Sequence, residues 1–470
     1  MILNKKSPNP GSYTRPYRLF FIAALFALSL TAYGQEGDTE DQKLSKKELK
    51  KKRKEKKKAV QKTKYFDENF IDYTTKTYDE NIRTLVIHTT ASELEPPVIN
   101  LNGTEKIVLR FDDLQDDVRD LYYTYEHCTY DWKSSDLLEM DYIEGYTSDF
   151  IANYDFSFNT VQPYIHYQLE FPNSRINLKR SGNYIIKVFE DDDPEKIVLT
   201  ARFMVVEPIT TIEMDVMPTR VVSERNYRQD VDLQVNLKGL ETLNPYSEIE
   251  LVIRQNFRWD NAIWNLKPSF VKDNVLIYDY QGKLTFDGTN EFRMFDAKSA
   301  RYRSDKVSDV QLQEDGYHVY LSPDPLRGFL NYSFDQDING RYLIKNDDMS
   351  DPHLESDYFT VHFTVPVDAP LGNGDLYVFG QLSNWAMKKD FRMKYQPEDL
   401  SYELSVPLKQ GLYNYQYLWR YKNKTVGNTD RTEGNHSESE NEYMVLVYFK
   451  DRSSFSHRLV GYKLKSNYKE

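Results

Sequence analysis

Apolar and polar residues alternate along several short stretches of this chain. In 231–237 and 359–365 every second residue is apolar, and 413–421 repeats the pattern with aromatic residues. Because successive side chains of a strand point to opposite faces, this period predicts strands with one buried face. The stretches 184–189 and 201–206 are mostly apolar instead, which is typical of strands buried on both faces.

Gly, Pro, Asn and Asp interrupt these stretches at short intervals, as in β-sandwich proteins. The pattern predicts an all-β fold of about three consecutive immunoglobulin-like β-sandwich domains. We place the first domain at 65–208, the second at 209–350 and the third at 351–452, before a charged tail at 453–470. The only candidate for a long helix is the Lys-rich segment at 35–64.

The first 34 residues are typical of a secretory signal peptide. Arg15 and Arg18 precede an apolar run at 19–30, and Ala-Tyr-Gly at 32–34 fits the small-x-small cleavage rule. The apolar run is too short to cross a bilayer comfortably, although an uncleaved anchor is the alternative. No Cys follows the cleavage site, which excludes a lipoprotein anchor. We therefore expect an exported protein that starts at Gln35 and is soluble or peripheral.

Charge is divided sharply along the chain. The whole sequence carries −12, but residues 43–64 hold 13 Lys or Arg and only two Glu, while residues from Tyr65 onward carry −23. This basic arm is either a solvated linker or a segment that attracts anionic lipid or an acidic partner. An export signal and an acidic body argue against nucleic acid as the partner.

Signatures of enzymes are missing from the sequence: there is no GxSxG elbow, no HExxH and no phosphate loop. Cys128, the only cysteine, follows His127, but neighbours on a strand point to opposite faces and cannot act together as nucleophile and base. We interpret Cys128 as a buried structural thiol. No cofactor and no small-molecule substrate are predicted.

A calcium-loop pattern begins at Asp335, where Asp337, Asn339 and Gly340 follow at suitable spacing. The twelfth position is Asn346 rather than Glu, and an Asp- and Asn-rich turn between strands explains the pattern as well. We therefore assign no metal site.

The most informative stretch is 122–173, which is crowded with aromatics, charges and amides. It resembles the first domain of the type IX secretion plug proteins of Bacteroidota. The resemblance covers about residues 85–210 and rests on residues in a specific order: Glu126-His127-Cys128, Asp131-Trp132, Ser135, Asp141-Tyr142, Gly145, Asn153-Tyr154, Ser157, Asn159-Thr160, the Tyr164 to Tyr167 run, Phe171-Pro172-Asn173 and Ser181-Gly182-Asn183-Tyr184.

This resemblance implies a non-enzymatic periplasmic protein, peripherally associated with the outer membrane. Its partner would be the outer-membrane translocon barrel of type IX secretion, whose periplasmic opening it would plug. We name Trp132, Tyr142, Tyr154 and Tyr164 as candidate partner-binding anchors, because Tyr and Trp dominate the binding energy of interfaces. For each of them a core aromatic is the alternative.

The third domain is similar to early-set immunoglobulin-like modules that bind glycogen. The resemblance covers about 80 residues and rests on Gly380, Asn384, Trp385 and the strand at 413–421. Trp385 would then stack on a sugar ring, or pack in or beside the core. Two further hypotheses stay open: an exported carbohydrate-binding protein that uses this domain, and a glycan-active enzyme with two facing carboxylates.

Overall fold

The computed structural model describes residues 73–115, 117–280, 282–450 and 456–467. The predicted signal peptide and basic arm lie outside these residues. Lys62–Glu470 forms one compact unit. Its secondary structure is almost entirely strand, which confirms the all-β prediction. In the described part of the chain, no helix combines the length and apolar character that crossing a membrane requires.

The first sandwich contains twelve strands: β1 Lys76–Thr77, β2 Ile82–Thr89, β3 Val98–Asn100, β4 Ile107–Asp113, β5 Leu121–Cys128, β6 Ile143–Gly145, β7 Ser148–Phe150, β8 Tyr154–Phe156, β9 Ile165–Phe171, β10 Ile176–Leu178, β11 Gly182–Glu190 and β12 Ile197–Val206. One sheet has the order β1-β12-β11-β5-β7, with β3 added parallel to β12, and the other has the order β2-β4-β9-β8. A ribbon of β6 and β10 and a short helix, α1 (Glu139–Tyr142), complete it.

The second sandwich combines two distant parts of the chain. One sheet has the order β13-β14-β17-β16, with β18 beside β14, and the other has the order β15-β28-β29. A short helix, α2 (Pro245–Glu248), leads into β15. The strands are β13 Thr211–Pro218, β14 Arg228–Asn236, β15 Ile249–Gln255, β16 Phe270–Lys272, β17 Val275–Tyr278, β18 Thr285–Asp287, β28 Glu442–Lys450 and β29 His457–Ser466.

The third sandwich lies between β18 and β28 in the sequence. Its sheets have the orders β19-β27-β22, with β24 beside β27, and β20-β21-β23-β26-β25. Short 3₁₀ turns occur here at Gln381–Ser383 and Lys389–Phe391, and another occurs at Val222–Glu224 in the second sandwich. The strands are β19 Arg293–Asp296, β20 Val307–Gln313, β21 Gly316–Leu321, β22 Tyr342–Ile344, β23 Tyr358–Pro366, β24 Gly374–Phe379, β25 Lys394–Gln396, β26 Ser401–Lys409 and β27 Gly411–Tyr421.

Strand pairing crosses the domain boundaries that the sequence suggests. β15 pairs antiparallel with β28 from Ile249–Phe449 to Gln255–Tyr443, although the two strands are almost 200 residues apart. The segments assigned to the second and third domains therefore share a sheet, and the third sandwich is inserted into the second. The boundaries at 208, 350 and 452 themselves remain predictions.

Each sandwich has its own apolar core, and a fourth cluster joins the first sandwich to the second. In this cluster Ile185 of β11 and Met204 of β12 lie with Val252 of β15 and Leu446 of β28. The sheet of β11 and β12 is therefore covered on both faces. This explains why the sequence of these two strands is mostly apolar rather than alternating.

A buried carboxylate joins the first sandwich to the third. Asp112 of β4 accepts hydrogen bonds from Lys409 Nζ (2.7 Å), the Tyr358 hydroxyl (2.7 Å) and His166 Nδ1 (2.6 Å). Burial opposes ionisation of Asp112, but Lys409 and His166 outweigh it and hold the pKa of this carboxyl below its ordinary value. The carboxylate is therefore ionised and fully paired at the junction.

Replacing Lys409 with Met should destabilise the protein by about 3–5 kcal/mol, because Asp112 is left buried without its cation. Asp112→Asn combined with Lys409→Met should recover much of this loss. Urea unfolding measures both. Because the pKa of Asp112 is lowered in the folded state, its stabilisation holds above about pH 4 and disappears as the pH falls through the folded-state value.

Lys106→Met is the matched control, since Lys106 forms an exposed ion pair with Glu170 at 3.6 Å. Exposed pairs contribute about 0–1 kcal/mol, so this variant should unfold close to wild type. Equal effects of the two lysine substitutions would contradict the importance of the buried pair.

Candidate partner-binding surface

Trp132, one of the four predicted anchors, lies between the first and second sandwiches. It follows β5 in a left-handed backbone conformation (φ 61°), and only 4% of it is exposed. Its ring meets Trp259 edge to face at 5.4 Å, and the Arg202 guanidinium lies 4.3 Å from its centre. The ring is therefore covered by the chain itself and stabilises the junction.

Tyr142 and Tyr164 are also buried. The Tyr142 hydroxyl donates to the backbone oxygen of Tyr125 at 3.2 Å within the first sandwich. The Tyr164 hydroxyl donates to the backbone oxygen of Ser356 at 3.0 Å, and Lys409 Nζ lies 4.0 Å from the ring centre. Tyr164 thus packs against the third sandwich. Like Trp132, these two rings leave no face for another molecule.

Tyr154 differs from the other three because it is 39% exposed. It begins β8, the last strand of its sheet, whose three side chains are all exposed. Its ring lies 5.7 Å from the buried ring of Tyr167 and 6.2 Å from Phe156, which is 59% exposed. Tyr154 therefore remains a candidate anchor, and Phe156 joins it.

Exposed aromatic rings continue on both sides of Tyr154. β7 is the last strand of the other sheet, and residues 151–153 connect it directly to β8. The segment that includes these two edge strands therefore carries a row of large exposed rings. We call this row the aromatic edge, and its members are Tyr146, Phe150, Tyr154, Phe156 and Phe158.

A cation orders one end of the aromatic edge. The Arg175 guanidinium lies 5.3 Å from the ring centre of Tyr146 and 5.7 Å from that of Phe150, and it pairs with Asp149 at 2.8 Å. Gly145 permits this arrangement: at φ +101° a Cβ atom there would lie 2.1 Å from the backbone oxygen of Arg175. The rings are thus held in place although their faces are exposed.

The other end of the edge is tied to the third sandwich. The backbone N–H of Phe158 donates to the oxygen of Leu354 at 3.1 Å, and that of Val161 donates to Asp357 Oδ1 at 2.6 Å. The edge is therefore part of the folded body at both ends. Exposed rings on an ordered backbone lose little conformational freedom when a partner binds.

Trp385 lies apart from the aromatic edge. It follows the 3₁₀ turn after β24, where its N–H donates to the oxygen of Gly380 at 2.9 Å. Its ring is half-buried, 5.8 Å from Phe257 and 5.9 Å from Phe379, and it borders a cavity. Sugar stacking at Trp385 remains a prediction.

The thiol of Cys128 is buried, and this burial, with the nearby Glu126, raises its pKa to about 12. The thiol is therefore protonated at neutral pH, and a protonated thiol is a poor nucleophile. In the calcium-like loop, the Asp337 carboxylate accepts hydrogen bonds from the backbone N–H groups of Phe292 and Asn339. This is the arrangement of an Asp turn.

Four members of the aromatic edge are not among the anchors predicted from the sequence. The stretch 122–173 contains all four of them: Tyr146, Phe150, Phe156 and Phe158. It holds many aromatic residues, and only their burial in the structure shows which of them are exposed. The sequence does contain a signal for part of this surface, at positions 154, 156 and 158. Aromatic residues there occupy every second position of a stretch too short and polar to be a core strand.

Comparison with known proteins decides the family. The family model of the type 9 secretion system plug protein 1st domain matches residues 82–207, which contain the whole aromatic edge. A crystal structure of a hypothetical protein from Parabacteroides merdae ATCC 43184 is 34% identical, with a TM-score of 0.82 over 84% of this chain and 99% of that chain. The chain belongs to the type 9 secretion system plug protein family. This membership supports a role related to type 9 secretion, and the family is of a non-enzymatic kind of secretion component.

Other comparisons add nothing to this assignment. No curated protein matches the chain. The alkylpurine DNA glycosylase AlkC of Pseudomonas fluorescens is 12% identical over 27% of this chain and 30% of its own, and its TM-score of 0.16 is too low to indicate a shared fold.

In this plug-family protein, replacing a buried aromatic residue should lower the free energy of unfolding much more than replacing an exposed one. Trp132→Ala should cost about 3–5 kcal/mol in free energy of unfolding, because it opens a cavity at a packed junction. Phe156→Ser should stay within about 0.5 kcal/mol of wild type, because its ring is exposed. Denaturant unfolding of both variants is the measurement, and the reverse order would show that their burial is wrongly assigned.

Proposed function

We propose that this protein binds the outer-membrane translocon barrel of type 9 secretion through its aromatic edge and closes the periplasmic opening of the barrel. The observation that carries the proposal is the position of the edge. Five exposed rings lie between residues 146 and 158, on the two edge strands of the sandwich that the plug-domain model matches and beside them. Exposed rings in such a row favour a binding surface.

The chemistry of the edge suits a contact that forms and releases. Aromatic rings contribute large apolar area for few lost rotamers, and the Tyr hydroxyls can remain hydrated when the partner leaves. The exposed Arg175, which pairs with the buried Asp149, adds a charged group beside Phe150. Apolar rings surrounded by polar and charged groups are typical of reversible interfaces.

Rigidity is the second requirement of a plug, because a body that closes an opening must not deform under it. The buried Asp112–Lys409 pair and the Trp132–Trp259 contact supply that rigidity here, since both fix one sandwich against another. Three sandwiches held in this way belong to one compact unit. Their packing supports a role that depends on shape rather than on catalysis.

We further propose a periplasmic location with peripheral attachment to the outer membrane. The signal-like N-terminus supports export, and family membership supports a periplasmic component. In this proposal the basic arm at 43–64 attracts anionic lipid or an acidic surface near the barrel.

A pull-down from detergent-solubilised outer membranes tests the barrel contact. Tagged wild-type protein should recover one very large β-barrel protein in near-equal amount, identified by mass spectrometry. Phe156→Asp should reduce this recovery about tenfold or more, because it places a charge at the centre of the edge.

Phe270→Asp is the matched control. Phe270 is 49% exposed and also begins a three-residue terminal strand, β16, in the second sandwich. Its recovery of the barrel should equal that of wild type. Failure of the wild-type protein to recover any barrel would contradict the proposed function, whereas equal losses in both variants would contradict the role of the aromatic edge.

A further inference from the structure

A cavity of about 890 Å³ lies where residues of all three sandwiches meet. Its wall includes Arg83 of β2 in the first sandwich, Arg254 of β15 in the second and Trp385 in the third. This volume lies in the range of sites for small organic ligands. It is separate from the aromatic edge, none of whose five rings lines it.

The charge of the wall is opposite to that of the protein. Eight Lys or Arg side chains but only three carboxylates line the cavity, whereas residues from Tyr65 onward carry −23. Among these cations, Lys409 pairs with Asp112 and Arg341 pairs with Glu442. A net positive wall in an acidic protein favours an anionic occupant.

Arg254 is the most unusual of these cations. Only 4% of it is exposed, yet it forms no ion pair with any described carboxylate. Its Nε donates to the sulfur of Met444 at 3.1 Å and its Nη1 to the oxygen of Phe257 at 3.1 Å. Burial lowers its pKa to about 10. Buried arginines are rarely left without an anion, because losing hydration is costly.

A neighbouring ring holds Arg254 beside a second arginine. The Arg254 guanidinium lies 4.2 Å from the ring centre of Trp259, and that of Arg202 lies 5.0 Å from it. Two guanidinium groups are thus gathered on one indole at the cavity wall. An anion bound beside them would offset their mutual repulsion.

The first sandwich adds another arginine at a distorted strand. Strand β2 has an irregular register between Arg83 and Val86, and Thr84 adopts a left-handed conformation (φ 48°). The buried Nε of Arg83 has no hydrogen-bond partner. Bulges of this kind re-aim side chains and are frequent beside functional sites.

Aromatic and neutral polar groups complete the wall. The ring of Phe257 lies 5.5 Å from the Arg254 guanidinium and 5.8 Å from the Trp385 ring. Gly340 leaves room for Trp385, since at φ +78° a Cβ atom there would lie 2.7 Å from the indole. Asn384 and Thr74 supply amide and hydroxyl groups nearby.

We propose that this cavity binds an acidic saccharide, a sugar that carries a carboxylate or a phosphate. Arg254, Arg202 and Arg83 would bind the anionic group, since guanidinium matches the geometry of both anions. Trp385 would lie against the apolar face of the sugar ring, and the amide and hydroxyl groups would meet the sugar hydroxyls. The site gives a role to Trp385 and is independent of barrel binding.

Isothermal titration calorimetry on the purified exported chain tests this site with four probes: digalacturonic acid, glucose 6-phosphate, neutral maltose and tetraglutamate. We expect at least one acidic sugar to bind tenfold or more tightly than maltose. The carboxylate and phosphate probes show which anion is preferred. Binding of tetraglutamate alone would overturn the saccharide class in favour of an acidic peptide.

Variants locate the binding in the cavity. Arg254→Met, nearly equal in size, should weaken the preferred sugar at least tenfold, and Trp385→Ala should weaken it as well. Arg83→Gln, at a less buried position, provides the same test if Arg254→Met fails to fold. Arg303→Met is the matched control, because Arg303 is an exposed arginine paired with Asp309.

Three results would overturn the proposal. They are absence of binding by both acidic sugars, equal binding of maltose, and wild-type affinity in a correctly folded Arg254→Met variant. Circular dichroism of each variant establishes its folding before titration.

Discussion

One buried carboxylate, Asp112, sets the relation between the first and third sandwiches. Removing an ion from water is costly, and the cost is offset only when its partners are complete. His166 comes from the same sheet as Asp112, whereas Lys409 and Tyr358 come from the third sandwich. In the first sandwich alone, the Asp112 carboxylate would be either exposed or buried without its cation. The two sandwiches are therefore stable as a pair.

The junction with the second sandwich has a different character, since aromatic rings and guanidinium groups replace the ion pair. Trp132 reaches across the junction to Trp259, and Arg202 lies against both rings. Aromatic and arginine residues, which are well suited to binding a partner, thus form contacts within the chain here. What remains outside is the aromatic edge, held by Arg175 at one end and by the third sandwich at the other.

Local pattern was enough to predict strands and their buried faces, because alternation depends only on neighbouring residues. It also identified β11 and β12 as covered on both faces, although not by what. The pairing of β15 with β28 was invisible, since partner strands so distant carry no shared local signal. Trp132 and Phe156 show the same limit: both are aromatic residues in one stretch, and only tertiary packing decides which is buried.

The central claim is that the aromatic edge faces the translocon barrel in the cell. Photo-cross-linking in living cells tests it most directly, with a benzophenone amino acid placed at Phe156 and, for comparison, at Phe270. The account predicts a cross-link from position 156 to one very large outer-membrane barrel and none from position 270. A cross-link from 270 but not from 156 would contradict it, as would cross-links from 156 only to other proteins.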